Sequence, residues 1–254
     1  MTTIVMVHGA FCGGWAFDRF RTPFEAAGHQ VLTPDLRGHG KGAEAVAVIG
    51  VSMADYAADI AAICADLPEP PVLLGHSMGG LVALLAAGKA PVEAVVMLAP
   101  SPPWGVASSS VEEAVTAFGV QMMGSFSSGA LEPDRSLMRF YSLDRMPEAD
   151  REATIARLGR ESGLAVRETL NWWLDPFMTT SVAGATSPQV PALVISGESD
   201  VVHSTATARA TARRIGADFK AMPGMSHWLV GEPGWDAVAE VALQWLANEA
   251  RAAA

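Results

Sequence analysis

Only two cysteines, Cys12 and Cys64, occur among 254 residues. That is too few for a disulfide framework to hold a chain of this size, and it points to a reducing, cytoplasmic setting. Basic residues are scarce as well: 17 Lys and Arg stand against 27 Asp and Glu, for a net charge of −10. No basic run could neutralise nucleic-acid phosphates or seat the chain on an anionic membrane, so neither partner is expected. The opening segment MTTIVMVHGAF has no basic n-region, and its short apolar run gives way to a glycine-rich loop, so a signal peptide is not expected. Long hydrophobic runs are also missing. The most apolar window, Leu81 to Pro100, is broken by Lys89, Pro91 and Glu93, which excludes a membrane span there. What the chain does have is apolar material in bulk, 50% of its residues, enough for a large core and too much for a disordered chain. The length suits one large α/β domain with an insertion rather than two equal domains.

Short apolar runs alternate with segments of helical length. Ile4 to Val7, Val31 to Pro34, Val72 to Leu74, Ala94 to Leu98 and Ala192 to Ile195 are apolar at consecutive positions, as parallel strands buried on both faces must be. Between them, Trp15 to Ala27, Ser52 to Asp66 and Met78 to Lys89 read as helices, with Ser52 as an N-cap, Gly28 just past the first helix and Pro68 just past the second. A further strand near Phe219 and a helix from Trp235 to about Ala250 close the pattern. Strand, helix, strand, repeated, predicts a mostly parallel, doubly wound sheet with right-handed crossovers. The rhythm is interrupted over Ser101 to Pro188, which lacks a comparable strand pattern but has helix starts at Ser110 with Glu113, at Pro147 and at Ser162. The expected organisation is therefore a catalytic domain of residues 1–100 and 189–254, with a helical cap of residues 101–188 over one end of the sheet.

The segment PVLLGHSMGG sets Gly75, Ser77 and Gly79 in a GxSxG pattern. A bare match could be a helix start capped by Ser77, but here it follows a buried strand and opens a helix, the setting of a nucleophile elbow. Such a turn holds the serine in a strained conformation at the carboxyl edge of the sheet, and a Cβ at either glycine would collide with the neighbouring strand or helix. A serine hydroxyl needs a base, and the base needs an orienting carboxylate. Chain order serine, acid, histidine places the acid after the strand PALVISG, where Glu198 and Asp200 compete. Asp200 is preferred because, two residues farther out, its side chain can reach back to an imidazole. Of the six histidines, His227 alone comes from the loop after the last strand. The oxyanion donors are assigned to the N–H of Met78, at the positive end of its helix, and of Ala10 in the loop HGAFCGGW, with Phe11 the near alternative. The loop lacks GxGxxG spacing and is followed by no Walker lysine, and the histidines show no HExxH or HxHxDH spacing, so neither a nucleotide nor a metal site is expected.

Taken in order, HGAFCGGW, FEAAGHQVLTPDLRGHG, GHSMGG and the late GMSHW resemble the α/β-hydrolase superfamily, and within it bacterial carboxylesterases related to the plant methylesterase and hydroxynitrile lyase group. The resemblance covers nearly all of the chain outside the insertion. It implies the α/β-hydrolase fold, with the helical cap inserted after the sixth-strand position, and hydrolysis of carboxylic esters through an acyl-enzyme with no cofactor. Most relatives carry extra strands before the HG strand, so a sheet shorter at one edge is expected. The lyase members typically have Thr where this chain has Gly9 and Lys where it has Trp228, which favours an esterase. Relatives that remove halide or open epoxides use an Asp nucleophile, and Ser77 argues against both. The DLRGHG segment, Asp35 to Gly40, is taken as structural.

The insertion holds Met122, Met123, Met138, Met146 and Met178 with Phe118, Phe126, Phe140, Trp172 and Trp173. At helical spacing these are core faces in one reading; in the other, some of them roof a pocket above Ser77. Phe11, Met122, Trp172, Trp173 and Trp228 are the candidate substrate contacts. The expected partner is a small, rather apolar ester. The alternative is a lactone such as an acyl-homoserine lactone, cleaved by the same triad, and a hydroxynitrile lyase or a non-catalytic small-molecule receptor stands behind both.

Overall fold

In each central strand, alternate side chains enter two different cores. The computed structural model describes residues 2–40, 45–115, 129–182 and 189–252. Its strands are β1 (Thr3–Val7), β2 (Gln30–Leu32), β3 (Val72–His76), β4 (Ala94–Leu98), β5 (Ala130–Leu131), β6 (Glu161–Ser162), β7 (Ala192–Gly197) and β8 (Asp218–Met222). The main helices are α1 (Arg21–Ala26), α2 (Met53–Ala65), α3 (Met78–Ala87), α4 (Glu148–Arg157), α5 (Gly163–Leu170), α6 (Thr205–Ile215) and α7 (Trp235–Ala252). Ile4 and Met6 of β1 pack with Phe17, Phe20 and Phe24 and with Val238, Ala239 and Ala242 of α7. Val5 and Val7 of the same strand pack on the other face with Tyr56 and Ile60 of α2, Leu81 of α3 and Ala208 of α6. Period-two alternation with both sets apolar is what a sheet sandwiched between helices demands, and each fully buried large side chain contributes about 1.5–3 kcal/mol.

The sheet has six strands in the order β2-β1-β3-β4-β7-β8, and every pairing is parallel. The chain runs outward from β1 to β2 on one side, then from β3 to β8 on the other. The reversal falls between β1 and β3, so the loops that follow these two strands diverge and leave a crevice at the carboxyl edge. Among the described strands, β2 forms one edge of the sheet, beside the HG strand β1.

Three elements differ from the sequence reading. Trp15 to Ala27 is not one helix: a 3₁₀ turn at Gly14–Phe17 stops, and α1 restarts at Arg21. Pro23 has no N–H and is tolerated only in a first helical turn, so the helix must begin anew just before it. The second strand ends at Leu32, short of Pro34, which cannot donate to a ladder. The insertion is not free of strands, since β5 and β6 form a two-residue antiparallel ladder. Elsewhere the start signals hold: Ser52 and Asp55 form a capping box at α2 and Ser162 caps α5; at α6 the cap is Ser204. No helix among the described residues is long and apolar enough to cross a membrane.

Candidate active site

β3 ends in a turn that no ordinary backbone would make. Ser77 has φ 54° and ψ −123°, a sparsely allowed conformation for a residue with a Cβ. It is held there by its N–H, which donates to Leu98 C=O (2.9 Å), and by its carbonyl, which accepts from Gly80 N–H (2.9 Å) and Ser101 N–H (3.0 Å). The flanking glycines are sterically required. A Cβ on Gly75 would lie 2.2 Å from the carbonyl oxygen of Gly79, and one on Gly79 would lie 2.2 Å from that of Val7. The turn thus lifts the Ser77 hydroxyl out of the sheet at the N-terminus of α3.

The loops after β7 and β8 meet at the same edge. Gly197 is needed for this approach, because a Cβ there would lie 2.1 Å from Ser226 C=O. Asp200 is buried, whereas Glu198 is exposed, and only the former turns inward. Asp200 Oδ1 accepts the N–H of Val202 (2.8 Å) and His203 (2.9 Å), and its Oδ2 accepts from His227 Nδ1 at 2.9 Å. With Nδ1 protonated toward the carboxylate, His227 Nε2 is left to accept the Ser77 hydroxyl at 3.0 Å. Burial alone would raise the Asp200 carboxyl, but the attraction and hydrogen bond of His227 outweigh it and hold Asp200 below the usual carboxylate range. The structure therefore brings Ser77, His227 and Asp200 into one hydrogen-bonded chain.

Two further histidines surround His227 and stay neutral. Burial pushes His76 down to about 3 and His203 down to about 4, and the nearby His227 adds to both shifts. His76 Nε2 donates to His227 C=O (2.9 Å), which fixes the backbone behind the imidazole. His203 Nε2 lies 3.1 Å from Ser101 Oγ, and its ring packs edge-on against His227. Nothing in the linear spacing of Ser101 and His203 signals that pair, because β4 and β7 bring their loops together only in the folded sheet. Behind the histidine loop, Glu232 accepts Ser226 N–H at 2.6 Å. Burial pushes its carboxyl up to about 7. A carboxylate whose folded pKa is raised binds its proton more tightly in the native state, so its contribution to stability falls as pH rises from its ordinary range through 7. Glu232→Gln, which keeps an acceptor for Ser226, is expected to raise the unfolding free energy at pH 8 by about 1 kcal/mol or more and to have little effect at pH 4. Denaturant melts at the two pH values measure this.

The loop after β1 lies over Ser77, so closely that a Cβ on Gly9 would sit 3.2 Å from Ser77 Cβ. Ala10 is half-buried beside it, and Met78 opens α3 directly after Ser77. The alternative donor, Phe11 N–H, is already engaged with Glu161 Oε2 at 3.2 Å. A cavity of about 120 Å³ opens above Ser77. It is lined by Ala10, Phe11, Met78 and Trp228, and the insertion adds the apolar Met138, Leu143, Leu158, Val166, Leu170 and Trp172 with the polar Ser108, Glu113, Tyr141, Ser142 and Thr169. Of the candidate substrate contacts, Phe11, Trp172 and Trp228 line the cavity. Trp173 does not: it is 58% exposed and packs edge-on against the outer side of Trp172. Adjacent residues in a 3₁₀ turn point in different directions, so only one of the two tryptophans can face inward. Met122 lies outside the described residues, as do Met123, Phe118 and Phe126. Glu113, expected as the partner of Ser110 in a helix start, makes that contact and also accepts Ser204 N–H, fastening the insertion to the first turn of α6. Among the described residues, no group of three or more His, Cys, Asp or Glu is placed to hold a metal ion.

Comparison with known proteins agrees with this architecture. The model of a family described as the alpha/beta hydrolase family matches residues 4–241. A salicylic acid-binding protein of Nicotiana tabacum is 36% identical over 110 residues, 42% of either chain. A pyrethroid hydrolase of Sphingobium wenxiniae is 38% identical over 80 residues, 32% of this chain and 28% of that one. The chain thus spans less than half the length of these relatives. A methylesterase of known structure from Arabidopsis superposes with a TM-score of 0.75, covering 97% of this chain and 99% of the other at 18% identity.

Proposed function

The chain belongs to the alpha/beta hydrolase family, and on that premise we propose that it is a serine hydrolase of carboxylic esters. The observation that carries the reading is the continuous hydrogen-bonded chain from Asp200 through His227 to a strained Ser77. In this reading His227 takes the Ser77 proton as the hydroxyl attacks the ester carbonyl, and Asp200 steadies the imidazolium that forms. The N–H groups of Ala10 and Met78 bind the oxyanion. His227 then protonates the departing alcohol and activates the water that releases the acid. Residues 1–100 and 189–254 form the catalytic body, and 101–188 a helical cap. The side chains of Met138, Leu143, Leu158, Val166, Leu170 and Trp172, which the insertion lends to the cavity, support a small, rather apolar ester as the substrate class.

Incubation with an organophosphorus ester is expected to block turnover of p-nitrophenyl butyrate and to leave one phosphoryl adduct on the peptide containing Ser77, read by mass spectrometry. Rapid mixing with the same ester is expected to show a burst of p-nitrophenol equal to the enzyme concentration. An adduct on another serine, or hydrolysis undiminished by the reagent, would overturn the assignment.

A further inference from the structure

The buried carboxylate of Glu161 belongs to the insertion, yet three of its four hydrogen-bond donors come from outside it. Four donors converge on its two oxygens. Oε1 accepts the Tyr56 hydroxyl (2.6 Å) and Ser162 N–H (2.7 Å), and Oε2 accepts His39 Nε2 (3.1 Å) and Phe11 N–H (3.2 Å). Burial disfavours charge on both Glu161 and His39, but their hydrogen bond and mutual attraction outweigh it. Glu161 is held below the usual carboxylate range and His39 above an ordinary imidazole. With its acceptor sites filled, the carboxylate is fixed from three sides of the molecule.

What it holds is an unfavourable piece of backbone. Phe11 has φ 65°, the left-handed region that a bulky side chain avoids. Both of its peptide groups are fastened to the insertion, its N–H to Glu161 and its C=O to Gly159 N–H at 2.8 Å. Phe11 directly follows Ala10, the oxyanion donor of the reading above, and a turn of the Ala10–Phe11 peptide would re-aim its neighbour.

We propose that Glu161 is a positioning residue: by clamping Phe11 N–H from the cap side, it holds the oxyanion loop in the conformation that aims Ala10 N–H at the carbonyl attacked by Ser77. This rests on the ester-hydrolase reading. It makes the insertion part of the catalytic machinery as well as a wall of the cavity, and it gives the DLRGHG histidine, His39, the task of keeping that carboxylate charged and in place.

Glu161→Gln tests it. The amide can keep one oxygen for Tyr56 and Ser162, but it then presents an N–H₂ where Phe11 and His39 also donate. Oxyanion donors act on the transition state and not on the bound ester. The expected result is therefore a fall in kcat for p-nitrophenyl butyrate of about 10- to 100-fold with KM within about threefold. Phenylboronic acid, whose tetrahedral adduct on Ser77 places an oxygen in the same hole, is expected to bind more weakly by a similar factor. If Glu161→Gln does not fold, Glu161→Asp, which keeps the charge but draws the carboxylate back by one methylene, is read in the same way. A variant that melts earlier yet keeps wild-type kcat and boronate affinity overturns the inference while leaving the hydrolase reading intact. Wild-type turnover that does not depend on Ser77 overturns both.

Discussion

Ser77→Ala is expected to lower kcat/KM for ester cleavage by about 10⁴-fold or more, with folding and ligand affinity unchanged. The expectation follows from how the site is divided. In the proposed mechanism, removing the hydroxyl deletes the nucleophile and its 3.0 Å hydrogen bond to His227, but it leaves the Asp200–His227 pair and the loop after β1 in place. Residual turnover would come from binding and oxyanion stabilisation acting on water alone. Alanine can hold the same unusual turn because the constraint is set by Leu98 C=O and Ser101 N–H on the main chain of residue 77, not by the side chain. Thermal melts alongside initial rates on p-nitrophenyl butyrate separate the two effects. Retention of most of the activity would mean that the chemistry lies elsewhere.

Gly79→Ala acts in the opposite way, on the fold. The added Cβ would be 2.2 Å from Val7 C=O and 2.3 Å from His8 C=O, both main-chain atoms of the β1 end that cannot swing aside as a flexible side chain can. Either α3 retreats from the sheet or β1 shifts, and both strands next to the switch point lose packing. A destabilisation of more than about 3 kcal/mol is expected, seen as a drop in Tm on the order of 10 °C. Residual activity should fall further than folding does, because His8 leads into the loop that carries Ala10. By contrast, a Cβ on Gly28 meets nothing within 4 Å, although its φ of 89° makes alanine strained there. Gly28→Ala is thus a control for backbone strain without collision.

The parallel sheet is readable in the linear sequence because strands buried on both faces must be apolar at consecutive positions, and Val72–Leu74 and Ala94–Leu98 are short apolar runs alternating with segments of helical length. The GxSxG turn was readable for a steric reason, since Gly75 and Gly79 stand where only hydrogen fits between main-chain atoms. Asp200 and His227 followed from chain order and loop position, properties that a fold with ordered crossovers preserves. The break before α1 is hidden in the sequence because the helical period of residues 15–27 masks the one proline that forbids a continuous helix. The β5–β6 ladder is not legible in the sequence because two-residue strands carry no period.

By itself, then, the sequence determined the layered sheet, the turn that exposes Ser77 and the order of the residues that follow it, because local sterics and the burial of alternate side chains act between neighbours in the chain. Only the tertiary structure decided which tryptophan of the pair 172 and 173 faces the cavity, that His203 stands beside Ser101, and that Glu161 reaches 150 residues back to Phe11. Those contacts depend on how the insertion lies against the sheet edge. That placement is set by convergent donors from the loop after β1, the loop after β2, and α2, none of which is adjacent to Glu161 in the chain.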